Sequence, residues 1–482
     1  MNKNNTILIS LLCWAISGWA QTLPITTHSA EAKTAYEQGL QYQDHAQTAL
    51  AKKAFEKALK ADPHCLMAEF QVATFSPQSE FRTVMQKIRE KVDAANLSEG
   101  ERLYLAIQFA NQDGNFQEGQ AKTQELAQLF PKDPRVQLPA AFLFYFNGQL
   151  KEAIEKFEQI QQMDPSYVPV YNILGYAYKD SGNLEKADWA FKRSIQLNPE
   201  NPNVYDSYGE FLLKRGQFEE SISYYEKAIK TDPLFPSAVM GIASNYLHLN
   251  QFENAQARLD AALSIAPDDQ IKSGIFWAKA VVYADQGKWD KSIQALNANL
   301  ELSIQNGNAI IISRDRSDLA RLLAEAGQWD QAEKTLRLAI KDVSESNIQA
   351  NFIELRCQAH TADLATLFAM QGQFEKAQAL QSEFMTWAEA SGQGFMIQQG
   401  HEIQGLIDLG KGNYAGAVQA LEQATTGDAY VMYRLALAYQ GLGNRQKAHE
   451  MANYVWTYRG NLNFRYSFVR HRAKQLLADL KS

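Results

Sequence analysis

The small and large apolar positions of this chain recur with a fixed step. Small residues stand 34 apart at Ala153, Ala187, Ser221 and Ala255, with Ala51 in register upstream. Four positions after each comes a large residue, at Phe55, Phe157, Phe191, Tyr225 and Leu259. Small ones return three positions later at Ala58, Ser194, Ala228 and Ala262. Spacings of three and four hold residues on one face of a helix. Prolines keep the same step at Pro131, Pro165, Pro199, Pro233 and Pro267, and Pro63 lies two steps earlier. A turn also repeats, as "NGQLKEAIEKF", "SGNLEKADWAF", "RGQFEESISYY", "QGKWDKSIQAL", "AGQWDQAEKTL" and "QGQFEKAQALQ". Its glycine ends one helix, where a left-handed conformation costs glycine least. The aromatic two residues on (Phe218, Trp289, Trp329, Phe374, Tyr414) begins the next helix. Proline then closes the second helix, and another at Pro134, Pro202 and Pro236 opens the following one. The pattern predicts an all-α chain of helix pairs.

Gly175, Gly209 and Ala187 lack bulk, so helices can approach there while Phe191 and Tyr225 fill the space between units. One such pair cannot bury its apolar face alone, and stability has to come from stacking. Residues 168–201, with Tyr171, Leu174, Gly175, Tyr178, Ala187, Phe191 and Pro199, resemble the tetratricopeptide repeat (TPR) family. The resemblance extends over roughly residues 32–457. It implies a right-handed superhelical solenoid of stacked helix–turn–helix units.

The array is not uniform. Residues 32–269 form the regular part, with one divergent unit at 66–99, where "FSPQSEFRTVMQKIREKVDAANL" reads as a longer amphipathic helix. "SEGE" at Ser98 to Glu101 has the form of a capping box that starts the next helix. From 270 to 457 the equivalent small residues Ala255, Ser292, Ala332, Ala377, Ala417 and Ala448 lie 37, 40, 45, 40 and 31 apart. That spacing predicts longer helices in stacked pairs. Residues 458–482 supply a final capping helix, expected to turn its charges outward as the end of a solenoid requires.

Composition changes this picture at the two ends. Residues 1–20 read as a secretory signal, with Lys3, the apolar "TILISLLCWAIS" and "GWA" before Gln21. Cleavage is expected after Ala20, leaving 21–31 as a linker and a chain exported to the periplasm or secreted. No second apolar run of transmembrane length follows. The 46% hydrophobic and 21% charged content is that of a folded chain, and a net charge of −7 gives no reason to expect nucleic acid. From Arg445 to Ser482 there are eight Lys and Arg against two Asp and Glu. That stretch is therefore +6 and the remainder −13, that is −7 minus +6. Two cysteines beyond the signal, Cys65 and Cys357, are too few for a disulfide framework and read as core thiols.

Constellations for catalysis are missing. His401-Glu402 and His449-Glu450 lack the second histidine of a zinc-protease helix, and no P-loop, GxGxxG or GxSxG is present. Cys357 and His360 share a helix face but are two ligands only, so a core thiol and a surface histidine are expected. The expectation is a chain without cofactor, metal or enzymatic activity. By the resemblance, the first helix of each unit lines a concave groove. That groove presents Arg135, Leu138, Phe142, Tyr145 and Phe146, then Asn172, Tyr176 and Lys179, then Asn203, Asp206 and Glu210. The family's carboxylate clamp, Lys and Asn at the groove positions, is absent. Large apolar groups on such a face suit a protein or peptide partner, or alternatively a small molecule, glycan or lipid. "SRDRSDLAR" places Arg314, Ser317 and Arg321 on one face as a candidate anion site, or as partners of nearby carboxylates.

Overall fold

The structure, a computed structural model, describes residues 22–233, 235–425 and 427–481. The expected signal peptide at 1–20 lies outside the described residues. Among these residues the chain forms helices and no strand. It divides into two compact units, one up to Ser207 and one from Tyr208 on.

Unit 1 holds α1 (Ala30–Asp44), α2 (Thr48–Ala61), α3 (Leu66–Ala73), α4 (Gln78–Val92), α5 (Glu99–Gln112), α6 (Phe116–Leu129), α7 (Pro134–Phe146), α8 (Leu150–Met163), α9 (Val168–Asp180) and α10 (Leu184–Leu197). The boundary falls inside α11 (Pro202–Lys214). Unit 2 continues with α12 (Phe218–Thr231), α13 (Pro236–His248), α14 (Phe252–Ile265), α15 (Asp269–Asp285), α16 (Trp289–Asn306), α17 (Ala309–Glu325), α18 (Trp329–Ser344), α19 (Ala350–Met370), α20 (Phe374–Ser391), α21 (Gly394–Gly410), α22 (Tyr414–Leu421), α23 (Ala429–Gly441), α24 (Arg445–Thr457) and α25 (Phe464–Lys481). Odd-numbered helices are the first members of their pairs. In unit 2, α13 touches α15, α17 touches α19, α19 touches α21 and α21 touches α23, so first helices form one wall.

The pairing follows from the repeated residues. A Cβ on Gly175 would stand 2.6 Å from the Phe191 ring, which fills the gap between α9 and α10 with no exposure. Gly182 then takes φ 79° and closes α9. Asp133 caps α7 by accepting the Arg135 N–H, with Pro134 at the first helical position. The Ser98–Glu101 capping box is present at the start of α5.

Both chain ends depart from the expected linker and cap. Residues 22–29 form a strap held on unit 1: Leu23 N–H donates to Asp133 at 2.7 Å and Thr26 N–H to Glu101 at 2.6 Å. Glu101 is fully buried and Asp133 nearly so, which fixes the strap by carboxylates that could not stay unpaired in that position. The second end, α25, packs on α15 and α23 as well as on α24.

Candidate functional site

In unit 1 the first helices and the strap enclose a cavity of about 780 Å³, lined among others by Leu23, Tyr36, Gln71, Tyr104, Arg135 and Tyr167. Burial pushes the Tyr36 and Tyr167 hydroxyls well above their usual range and raises that of Tyr104, so they act there as neutral groups. Gln71 lines the same cavity beside Tyr36 and Tyr104 and counteracts part of that upward shift. Arg135 does not stand free in the groove: its guanidinium holds Asp44 at 2.5 Å. Burial raises the Asp44 carboxyl above its ordinary value even against the pull of Arg135.

The other groove residues continue along α7 and α9. Leu138 is half-buried. Phe142 stacks on Phe146 at 5.5 Å and meets Phe157 edge-on at 5.6 Å, so it serves core and surface together. Phe146 is 77% exposed. The Tyr145 hydroxyl donates to Asp180, which also pairs with Lys179 at 2.8 Å. Tyr176 lies edge-on to Phe191 at 5.2 Å, with the Lys179 ammonium 5.3 Å from its ring. Asn172 is half-buried and its Oδ1 has no partner. Asn203 is exposed and Asp206 half-buried, while Glu210, across the unit boundary, pairs with Lys214 at 2.5 Å.

The wall of unit 2 is covered. Helix α25 and the segment before it lie along the first helices, and the charges expected to face solvent point inward. Arg470 is buried, with Nη1 2.8 Å from fully buried Asp285, and its other donors reach the Leu247 and His248 carbonyls. Arg472 holds Glu325 at 2.8 Å, and Arg465 holds Glu402 at 2.9 Å and Asp428 at 3.0 Å. Phe464 and Phe468, one turn apart, stack on each other and meet Trp277 and Tyr430 edge-on. Upstream, Leu462 N–H donates to Ser244, and His248 Nε2 lies 2.8 Å from the Gly460 carbonyl. The outward-charged cap is thereby corrected: an acidic, apolar wall and a basic, aromatic helix are complementary, and each removes the other's uncompensated groups from water.

Arg314, Ser317 and Arg321 do share one face of α17, but carboxylates already meet them. Arg314 bonds Asp315 at 2.9 Å, Arg321 bonds Asp363 at 2.7 Å, and Ser317 donates to Asp363 at 2.6 Å. Burial alone would raise the Asp363 carboxyl; Arg321, then His360 and Ser317, outweigh it and hold the group well below the usual carboxylate range. The expectation for Cys357 and His360 is reversed. His360 is buried, with Nδ1 3.6 Å from Asp363, and Cys357 is only half-buried. Among the described residues no three His, Cys, Asp or Glu side chains are placed to hold a metal ion.

Asp285 and Asp363 were not singled out by sequence, and neither Glu325 nor Glu402 was expected to hold the last helix. The available signal was the split between a +6 terminal stretch and a −13 remainder, together with lone carboxylates inside apolar helices such as "AVVYADQ" and "HTADLATLF".

These features define an α-solenoid of stacked helix pairs. Tetratricopeptide repeat models match residues 168–201, 212–274 and 274–342, so this part of the chain is built of tetratricopeptide repeats. Among solved structures, a tetratricopeptide repeat protein from Parabacteroides merdae ATCC 43184 is 13% identical, with a TM-score of 0.35, over 56% of this chain and 93% of that one. MamA is 22% identical in two structures, each with a TM-score of 0.30, over 34% and 35% of this chain and 90% and 95% of theirs. No curated protein matches the sequence.

Proposed function

We propose that the chain is an interaction scaffold that takes a protein or peptide partner on the groove face of unit 1, without bond chemistry of its own. The observation that carries this reading is Phe146, held 77% exposed and stacked on Phe142. A large ring kept in water by a rigid helix is the type of anchor that partner surfaces bury. Tyr176 and the half-buried Asn172 lie further along the same face, on α9. The signal-like residues 1–20 support action outside the cytoplasm. A photo-crosslinking residue in place of Phe146 should capture one dominant partner, and the same residue at Trp189, exposed elsewhere in the unit, should not. Equal background labelling at both positions refutes the reading.

The cavity of about 780 Å³ favours a second reading, in which unit 1 holds a small molecule between its tyrosines. A ligand that raises the melting temperature of the purified chain, and loses that effect in Gln71→Ala, would support it.

A further inference from the structure

Unit 1 turns back on itself. Arg135, in the first turn of α7, bonds Asp44 at the end of α1 through Nε at 3.0 Å and Nη2 at 2.5 Å. Asn198, just after α10, donates to the His45 carbonyl at 2.9 Å. These contacts join positions 91 and 153 residues apart, so α7 and the end of α10 both close against the end of α1. The cavity of about 780 Å³ lies against this closure, with Leu23 and Ile25 of the strap in its lining. Ligand pockets commonly hold about 300–1,000 Å³.

The charges of the lining are already met. Arg135 and Asp44 hold each other, and Asp133 accepts the Leu23 and Arg135 N–H groups. Lys33 and Glu37, opposite in sign, stand one turn apart on the exposed side of α1. What remains is aromatic and neutral. Tyr36 comes from α1, Tyr104 from α5 and Tyr167 from the cap of α9. Packing fixes two of these rings: Tyr36 lies 5.3 Å from Phe55, and Tyr104 meets Phe70 edge-on at 5.6 Å. Gln71 is buried, and Gln108 follows Tyr104 by one turn on the same face of α5. Tyr167 is only 8% exposed, yet among the described residues neither its hydroxyl nor the Gln108 amide has a hydrogen-bond partner. The Tyr167 hydroxyl feels the charges of both Asp44 and Arg135, which puts it beside the closing pair.

Building on the reading in which unit 1 holds a small molecule, we propose that this cavity binds a neutral oligosaccharide. Its sugar C–H faces stack on the three tyrosines, and its hydroxyls bond Gln108, Gln71 and the Tyr167 hydroxyl. A sugar hydroxyl donates and accepts at once, and so do a phenol and a side-chain amide. An aliphatic ligand would take these buried groups out of water and return no hydrogen bond, at a cost for each. An ionic ligand would have to compete with the Asp44–Arg135 pair for its counter-charge. Rings held by packing and a closed turn lower the ordering cost of binding.

Titration calorimetry and thermal melting of the purified full chain test the proposal, with maltotetraose, cellotetraose and chitotetraose as probes at millimolar concentration. At least one should bind and raise the melting temperature. Tyr167→Phe keeps the ring and Gln108→Leu keeps the volume; each should weaken that binding about three- to tenfold. Neither should shift the melting temperature of the chain without sugar. Phe146→Ser, outside the cavity, should bind the sugar like wild type. Sugar binding that Tyr167→Phe and Gln108→Leu leave unchanged lies elsewhere and overturns the proposal. If laurate or a free amino acid stabilises the chain, with the effect lost in Gln71→Ala, and no sugar does, the saccharide is overturned and the small-molecule reading stands. A chain that ignores every probe refutes both.

Discussion

Gly175 and Gly182 show two different uses of the same residue seven positions apart. Gly182 is needed for its backbone, at φ 79° with open space around it. Gly175 is needed for its missing side chain, because Phe191 occupies that volume. Gly175→Ala should therefore destabilise unit 1 by about 1–3 kcal/mol through overpacking, measured by urea unfolding. The buried pair Arg470–Asp285 makes a sharper residue-level case. Arg470→Leu leaves a carboxylate with no exposure and only His471 Nε2, 3.2 Å away, to meet it, and should cost about 3 kcal/mol. Adding Asp285→Leu should recover part of that loss. If the double variant is less stable than the single one by a further full increment, the two residues do not act as a pair.

The helix pairs were legible in the sequence because what specifies them is local. Glycine, small residue, large residue and proline all act within one 34-residue period, and the same holds for the Ser98–Glu101 box. The seat of α25 was not legible, although its charge was. Each of its partners lies far away in sequence: 185 residues for Asp285, 147 for Glu325 and 63 for Glu402. Outward charges are the ordinary fate of a terminal helix, and only the acidic wall reverses that here. The candidate groove residues were placed on their helices by the repeat register, but the register says nothing of Asp44 reaching Arg135 or Asp180 reaching Tyr145. The seating of α25 carries a pH dependence. Burial, then Arg470 and Arg459, lower the His248 pKa to about 4, although the Gly460 carbonyl and Asp285 favour its proton. Between that value and the ordinary pKa of about 6.5 the unfolded chain binds more protons than the folded one. The stabilisation is thus present above pH 6.5 and lost as pH falls toward 4. Unit 2 should lose about 2 kcal/mol between pH 7 and 4.5 from this group, and His248→Gln should flatten that part of the profile. Hydrogen exchange at residues 460–470 would locate the change.

At the scale of the molecule the two units differ in what their groove walls do. The wall of unit 2 is covered by α25, whose Phe464 and Phe468 are anchored among Trp277, Trp289 and Tyr430. In unit 1 the strap crosses one part of the wall and leaves Phe146 in water. Stability and recognition are then carried by different aromatic groups, and substitution should separate them. Phe464→Ala with Phe468→Ala removes two buried rings and should lower stability by several kcal/mol, on the order of 3–5 per fully buried ring and less for partial burial. Partner capture at residue 146 should persist as long as the chain is folded. Phe142→Asp with Tyr176→Asp should abolish capture. Both rings also touch the core, at Phe157 and Phe191, so some stability would be lost with them. Phe146→Ser removes a ring with little burial and keeps the two effects apart: it should weaken binding of the partner identified by that capture while leaving the melting temperature within about a degree or two. Loss of capture in the α25 variant at a temperature where it remains folded would move the recognition surface from unit 1 to the covered wall of unit 2.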